Sequence, residues 1–227
     1  MPLLFIPLLH LLSCTEAPSE GTALPLASAP PPTAMRNAPA VLGVGARAFT
    51  ASAGGYAFDN GKWGLRGRLD GTGTHFGAGE SAFSITFAGW GRDGEVSPVE
   101  PVSPVLGGCG PELLPNGECS RLVEYSHMGA TAWWANLDSG VEQGWNLDAR
   151  PEGDGPLVIE VGVEGADVDG DDAELWFTTE NGQAWRYSAL SAWDSRGDAL
   201  DAWFELTEEG LRIVVDDANA LWPIVVD

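Results

Sequence analysis

Lysine occurs once in the 227 residues, at Lys62, and arginine supplies the rest of the 11 basic side chains, against 33 acidic ones. A net charge of -22 opposes attraction to nucleic-acid phosphates or to an anionic membrane surface, so nucleic acid is not an expected partner. Histidine is nearly as scarce, with His10, His75 and His127 the three in the chain. A Ser-His-acid site needs a positioned nucleophile, and the chain has no G-x-S-x-G string. Nor does it hold a Walker or dinucleotide-binding glycine string in the required strand and helix context. After residue 14 there is no helical stripe longer than about two turns, which excludes an all-helical body. With no nucleophile string and no cofactor loop, neither catalysis nor a bound cofactor is expected.

What is present alternates. Short apolar runs of period two fill the last third of the chain, among them LVIEVGVEG, ELWFTTENGQAWRYSAL, WDSRGDALDAWFEL and GLRIVVDD. Acidic turns bearing glycine separate them, as expected of consecutive β-strands. Leu157, Ile159, Val161 and Val163 are predicted to share one face, and Leu211, Ile213 and Val215 another. Earlier in the chain, Trp63, Leu65 and Leu69 read as one face opposite Arg66 and Arg68, and Phe83, Ile85 and Phe87 fall together. These patterns predict an all-β fold, an antiparallel two-sheet sandwich with one wet face per sheet, over residues 41–227.

Residues 1–14, MPLLFIPLLHLLSC, form an apolar run of signal-peptide length, too short to cross a bilayer as a mature helix. Its ending, LLSC, resembles the lipobox of bacterial lipoproteins, and the resemblance implies that Cys14 becomes the lipid-bearing first residue after cleavage. Residues 15–40 are rich in Pro, Ala, Ser and Thr and are expected to be a disordered tether, since so little apolar surface cannot offset ordering entropy. The chain is therefore expected at the outer membrane or cell surface by a lipid anchor, or secreted. In an exported protein the two other cysteines, Cys109 and Cys119, are expected to pair, since the prolines and Asn-Gly between them let the chain turn back. So short a closed loop contributes roughly 3 kcal/mol in the chain-entropy model.

Tyr125 followed by AWWANLDSGVEQGW, then RYSALSAWDSRGDAL and LRIVVDDANALWPIVVD, resembles the amino-terminal domain of large secreted bacterial proteins that carry FG-GAP or related β-propeller repeats. The resemblance covers residues 121–227 best. It implies a non-enzymatic surface module, the base of an adhesion or matrix-interaction protein. In such proteins the aromatic-Pro-Ile-x-Val-Asp stretch leads into the repeats, so the chain is expected to be a domain of a longer protein, with an early gene end as the alternative. Pro223 to Asp227 reads as an edge strand. A downstream repeat domain and a protein or glycan surface are the partners implied.

Three further groups invite a site. Asp167, Asp169 and Asp171 occupy alternate positions, as in loops that wrap calcium with carboxylates, although the glycine at 170 and Leu175 depart from that pattern; a plain acidic hairpin is the alternative. Glu142 reads as a turn or strand-edge acid. Ten tryptophans, Trp133, Trp134, Trp145, Trp176, Trp185, Trp193, Trp203 and Trp222 among them, divide between core and a sugar-stacking platform. An exposed pair beside a groove would favour a carbohydrate-binding module or the remnant of a sugar-active enzyme.

Overall fold

The computed structural model describes residues 47–107 and 121–227, so the expectations placed on Cys14, on the tether and on the Cys109–Cys119 pair lie outside the described residues. The first strands are β1 (Thr50–Ser52), β2 (Gly55–Asn60), β3 (Leu65–Asp70), β4 (Gly73–Phe76), β5 (Phe83–Arg92) and β6 (Glu95–Pro98), with a 3-10 turn at Gly79–Ser81. Then come β7 (Val105–Leu106), β8 (Leu122–His127), β9 (Ala130–Asn136), β10 (Val141–Leu147) and β11 (Leu157–Glu164). The chain continues through β12 (Ala166–Gly170), β13 (Glu174–Thr179), β14 (Ala184–Ser188), β15 (Ala192–Trp193) and β16 (Ala199–Leu200). It closes with β17 (Ala202–Thr207), β18 (Gly210–Val215) and β19 (Ile224–Val226). Every pairing among them is antiparallel.

The fold is all-β, as the alternation predicts. Sheet A runs β1-β2-β3-β4-β5-β11-β18-β17, with β6 following β4 along the same side of β5. Sheet B runs β16-β15-β19-β10-β9-β8-β7, and a small third sheet, β12-β13-β14, joins the two large ones. Direct cross-strand pairs Leu157–Val215, Ile159–Ile213 and Val161–Leu211 carry the predicted apolar faces of β11 and β18 into the core. Opposite them, sheet B contributes Trp134, Trp145, Leu147, Ile224 and Val226. Each such side chain, fully buried, stabilises the fold by about 1.5–3 kcal/mol.

An unbroken file of aromatic rings links sheet A with the small sheet. Phe49 meets Phe58, Phe58 meets Phe76, and Phe76 stacks on Phe83 with 4.8 Å between centroids. Phe83 touches Phe177 of the small sheet, which stacks on Tyr187 at 5.4 Å, and Tyr187 in turn meets Phe204 back on sheet A. The small sheet is thus packed into the core, and the main-chain bond from Phe204 N–H to Asp172 O ties its β12–β13 turn to β17.

Several local expectations change. Trp63 does not share the β3 face: it lies in the β2–β3 turn and is 52% exposed. The Pro223–Asp227 stretch is not an edge, because β19 is flanked by β15 and β10. The wet face of sheet A is interrupted at its centre, where Val158 and Val214, paired across β11 and β18, are as buried as the core face. In β5, Glu160 pairs with Gly89 while Val161 pairs with Phe87, so Ala88 is an extra residue, a β-bulge. The bulge reverses the parity of the strand. Trp90 and Arg92 therefore follow Phe83, Ile85 and Phe87 onto the core side.

Candidate functional site

A cleft of about 560 Å³ opens where sheet B, the small sheet and the β2–β3 turn meet. One wall is the β9–β10 turn and the start of β10, Ser139 to Gln143, with Trp145 behind; the other is β14 and its continuation, Ala184 to Ser191; Trp63 and Leu65 stand at the rim and Asp227 at the inner end.

The walls are held by polar locks. Asn60, fully buried at the end of β2, donates through Nδ2 to Asn136 Oδ1 at 2.8 Å and to the carbonyls of Leu137 and Gly140 at 2.9 and 3.1 Å. Asn136 Nδ2 returns a bond to the Asp59 carbonyl at 3.3 Å. Two hairpin turns from facing sheets are joined in this way. The Asp138 carbonyl then accepts from Trp63 Nε1 at 3.0 Å and from Lys62 Nζ at 2.9 Å, and the Lys62 ammonium sits 5.0 Å from the centre of the Trp63 ring. The exposed indole is held upright at the rim.

On the opposite wall alternation sends Trp185 and Tyr187 inward and Arg186 outward, where its Nη1 lies 3.3 Å from Glu174 Oε2. Tyr187 donates its hydroxyl to Gln143 Oε1 at 3.1 Å, bridging the walls. Burial, and beyond it the nearby Asp227 carboxylate, raises the Tyr187 phenol above its usual range, which keeps it a donor. Ala189 has φ of 69°, and it is the sole residue other than glycine with positive φ among those described. Such a conformation is strained for alanine and persists where the surroundings impose it.

Asp227 is pushed up to about 7, first by burial and then by the Glu142 carboxylate. The two acids lie on one face of sheet B: Trp145 pairs with Val226, so the next pair inward is Gly144 with Asp227, and Glu142 is the diagonal neighbour. Glu142 also accepts from Ser139 Oγ at 2.8 Å. Trp145 Nε1 is buried with no acceptor among the described residues. Aromatic faces, an amide, a neutral phenol and paired acids suit the cleft to binding a chain with polar groups or positive charge.

A smaller hollow of about 190 Å³ lies between sheets A and B beside Tyr125, His127 and Trp134. Tyr125 donates its hydroxyl to the Gly73 carbonyl at 3.3 Å, and burial lowers the His127 imidazole below its usual range although the Glu100 backbone opposes this. His75 belongs to β4 and faces Asp70 at 3.2 Å. Both histidines are engaged structurally.

Asp167 and Asp169 lie along β12, and Asp171 caps the turn after it by accepting from the amides of Ala173 and Glu174 at 3.0 and 2.9 Å. Among the described residues no three His, Cys, Asp or Glu side chains gather where they could hold a metal ion. The stretch forms an acidic hairpin. Of the tryptophans, Trp133, Trp134, Trp145 and Trp193 are buried, Trp90, Trp185 and Trp222 pack against the core from partly exposed positions, and Trp176, at 43%, joins Trp63 as exposed. Gln143, Tyr187 and Asp227 lie in three of the stretches that carry the resemblance, but those stretches are far apart in the chain, and only the sheet topology brings the three residues to one cleft. Among the described residues no helix is long and apolar enough to cross a membrane. No protein-family model, no curated protein and no solved structure matches the chain.

Proposed function

We propose that this chain is a non-enzymatic exported module that works by surface contact, anchored to the outer membrane through a lipid on Cys14 and serving as the base of a repeat-bearing adhesion or matrix-interaction protein. The cleft carries this reading. Its walls are immobilised by Asn60, Asn136 and the Asp138 carbonyl, and its polar groups are arranged to receive a ligand. A tether after the lipid would hold this face clear of the membrane, and the acidic surface keeps the body from settling on anionic lipid. Mass spectrometry of the protein from an expressing bacterium tests the anchor: the expected amino terminus is a lipidated Cys14, with Cys109 and Cys119 joined. A hydrolysis screen of the full chain against varied polysaccharides, paired with binding to the same panel, tests the rest. Turnover that disappears in Glu142→Gln or Asp227→Asn while the fold is unchanged would overturn the reading.

A carbohydrate-binding module is the second reading, favoured by the exposed Trp63 ring at the mouth of a cleft that Trp185 also lines. Saturable glycan binding without turnover, lost in Trp63→Ala, would select it.

A further inference from the structure

The smaller hollow beside Tyr125 is built by other parts of the chain than the cleft. The β3–β4 turn, the first half of β5 and the Val99–Val102 strap surround it on the side of sheet A, and β8 and β9 close it on the other. Its walls are apolar where Ile85, Phe87, Val102 and Trp134 line it. Buried polar groups interrupt them. Thr74, 1% exposed, has no hydrogen bond of normal geometry at Oγ1, and the Tyr125 oxygen beside it has already given its proton to the Gly73 carbonyl. Gln143, 6% exposed, borders both spaces: its Oε1 takes the Tyr187 hydroxyl, and its Nε2 donors have no partner among the described residues. Polar groups so buried call for partners, and the occupant of the hollow must supply them.

Room and polarity narrow that occupant. A space of about 190 Å³ holds about six waters at about 30 Å³ each, or one six-membered ring, since a cavity of about 150 Å³ admits benzene. A hydrocarbon ring would leave Thr74 and Gln143 unsatisfied, whereas hydroxyls, which both donate and accept, satisfy them together with the Tyr125 oxygen. No buried group here offers a countercharge. Burial holds the His127 imidazole below and the Tyr125 phenol above their usual ranges, so both are neutral. The Asp70 carboxylate near Tyr125 is taken up by Thr72 and His75 at 2.5–3.2 Å and by Arg68, and Glu100 stands exposed at the rim. A charged ring would therefore lose its hydration without gaining a partner. We propose that the hollow receives one uncharged sugar residue, the terminal unit of a neutral glycan, with its apolar face on Phe87 and Trp134 and its hydroxyls on Thr74, Tyr125 and Gln143. This seat is distinct from the Trp63 mouth, and the proposal does not depend on the cleft.

The test is saturation-transfer NMR on the full chain, titrated with the methyl glycosides of glucose, galactose and mannose, with glucuronate, glucosamine and phenol as controls. At least one neutral glycoside should bind saturably, with a dissociation constant on the order of 1 mM. Both charged sugars and phenol should bind about tenfold more weakly or worse. Thr74→Val, which keeps the shape and removes the hydroxyl, should weaken binding about tenfold. Ala132→Met, which fills the hollow, should abolish it, and Trp63→Ala at the mouth of the cleft should leave it unchanged. A urea midpoint within error of the parent shows that Thr74→Val has folded, so this variant decides if Ala132→Met does not fold. No saturable binding of any neutral glycoside overturns the inference and leaves the hollow to water. So does a preference for glucuronate, glucosamine or phenol, or binding that survives Thr74→Val or a folded Ala132→Met intact. Binding lost in Trp63→Ala also overturns it and moves the sugar to the cleft, which separates this inference from the carbohydrate-module reading.

Discussion

Arg92 and Asp217, 125 positions apart, form a two-pronged ion pair inside the protein: Nη1 to Oδ1 at 2.6 Å and Nη2 to Oδ2 at 3.0 Å, with neither side chain more than 1% exposed. Arg92 uses two more of its donors on the carbonyls of Pro151 and Gly155 at 3.3 and 3.2 Å, so one guanidinium fastens β5, the 150–156 loop and the loop after β18 together. Removing Asp217 leaves an uncompensated charge in the interior, which costs about 3–5 kcal/mol, and removing Arg92 leaves Asp217 only the half-exposed Arg150 guanidinium at 3.7 Å. Arg92→Met and Asp217→Ala should each lower the urea-unfolding free energy by that order, and the double variant should lose much less than the sum. Additive losses would mean that the two residues act separately.

Acid should loosen the β15–β16 hairpin. The Leu221 amide foremost, against burial, and then the amides of Arg196 and Asp198 and the Arg196 guanidinium hold the Asp194 carboxyl down at about 2. A folded value below the unfolded value of about 3.9 means that the stabilisation is complete above pH 4 and is lost as pH falls through about 2. Asp194→Asn should therefore be less stable than the parent at pH 6 and converge on it toward pH 2. A difference constant over that range, followed by circular dichroism in urea, would contradict the assignment.

Asp227 works in the opposite direction. Its folded value of about 7 lies above the unfolded one, so its contribution is full below about pH 4 and disappears as pH rises through 7. Between pH 5 and pH 8 the parent should lose stability, on the order of a few kcal/mol at most, and Asp227→Asn should flatten that loss. Urea melts at the two pH values check it. A parent that gains stability over this interval through the Asp227 carboxyl would show that the acid is solvated or paired.

The ring file predicts where truncation hurts most. Phe76 touches Phe58, Phe83 and Trp134, so Phe76→Ala should cost about 3–5 kcal/mol, whereas Trp176→Ala, on an exposed face, should stay near 1 kcal/mol or below. Gly144→Ala belongs with the severe changes, because a methyl group there would run into the indole of Trp133 on β9. Thermal melts of the three variants should rank accordingly.

The alternation in 157–163 and 211–215 was legible because those strands pair along their whole length in regular register. The place of Arg92 was not, because a single extra residue at Ala88 turns a polar position inward, and its partner comes from a loop 125 positions later. Trp63 misled for a local reason: Gly61 and Gly64 end β2 and start β3 so late that the tryptophan falls in the turn. The cleft left no trace in composition, since it depends on the small sheet placing its outer strand β14 across from the β9–β10 turn.

The bulged strand β5 also sets an order of assembly. On one side it needs β4 and β6, its immediate neighbours in the chain, and on the other it needs β11, which begins at Leu157 after β7 to β10 of the other sheet have been made. During synthesis the β1–β6 meander must therefore wait with one long side of β5 unpaired, exposing Phe83 and Ile85, until more than sixty further residues have emerged. Pairings so distant make for slow closure and a vulnerable interval. That delay makes a holding chaperone more valuable to this chain than to one whose sheets close in sequence order.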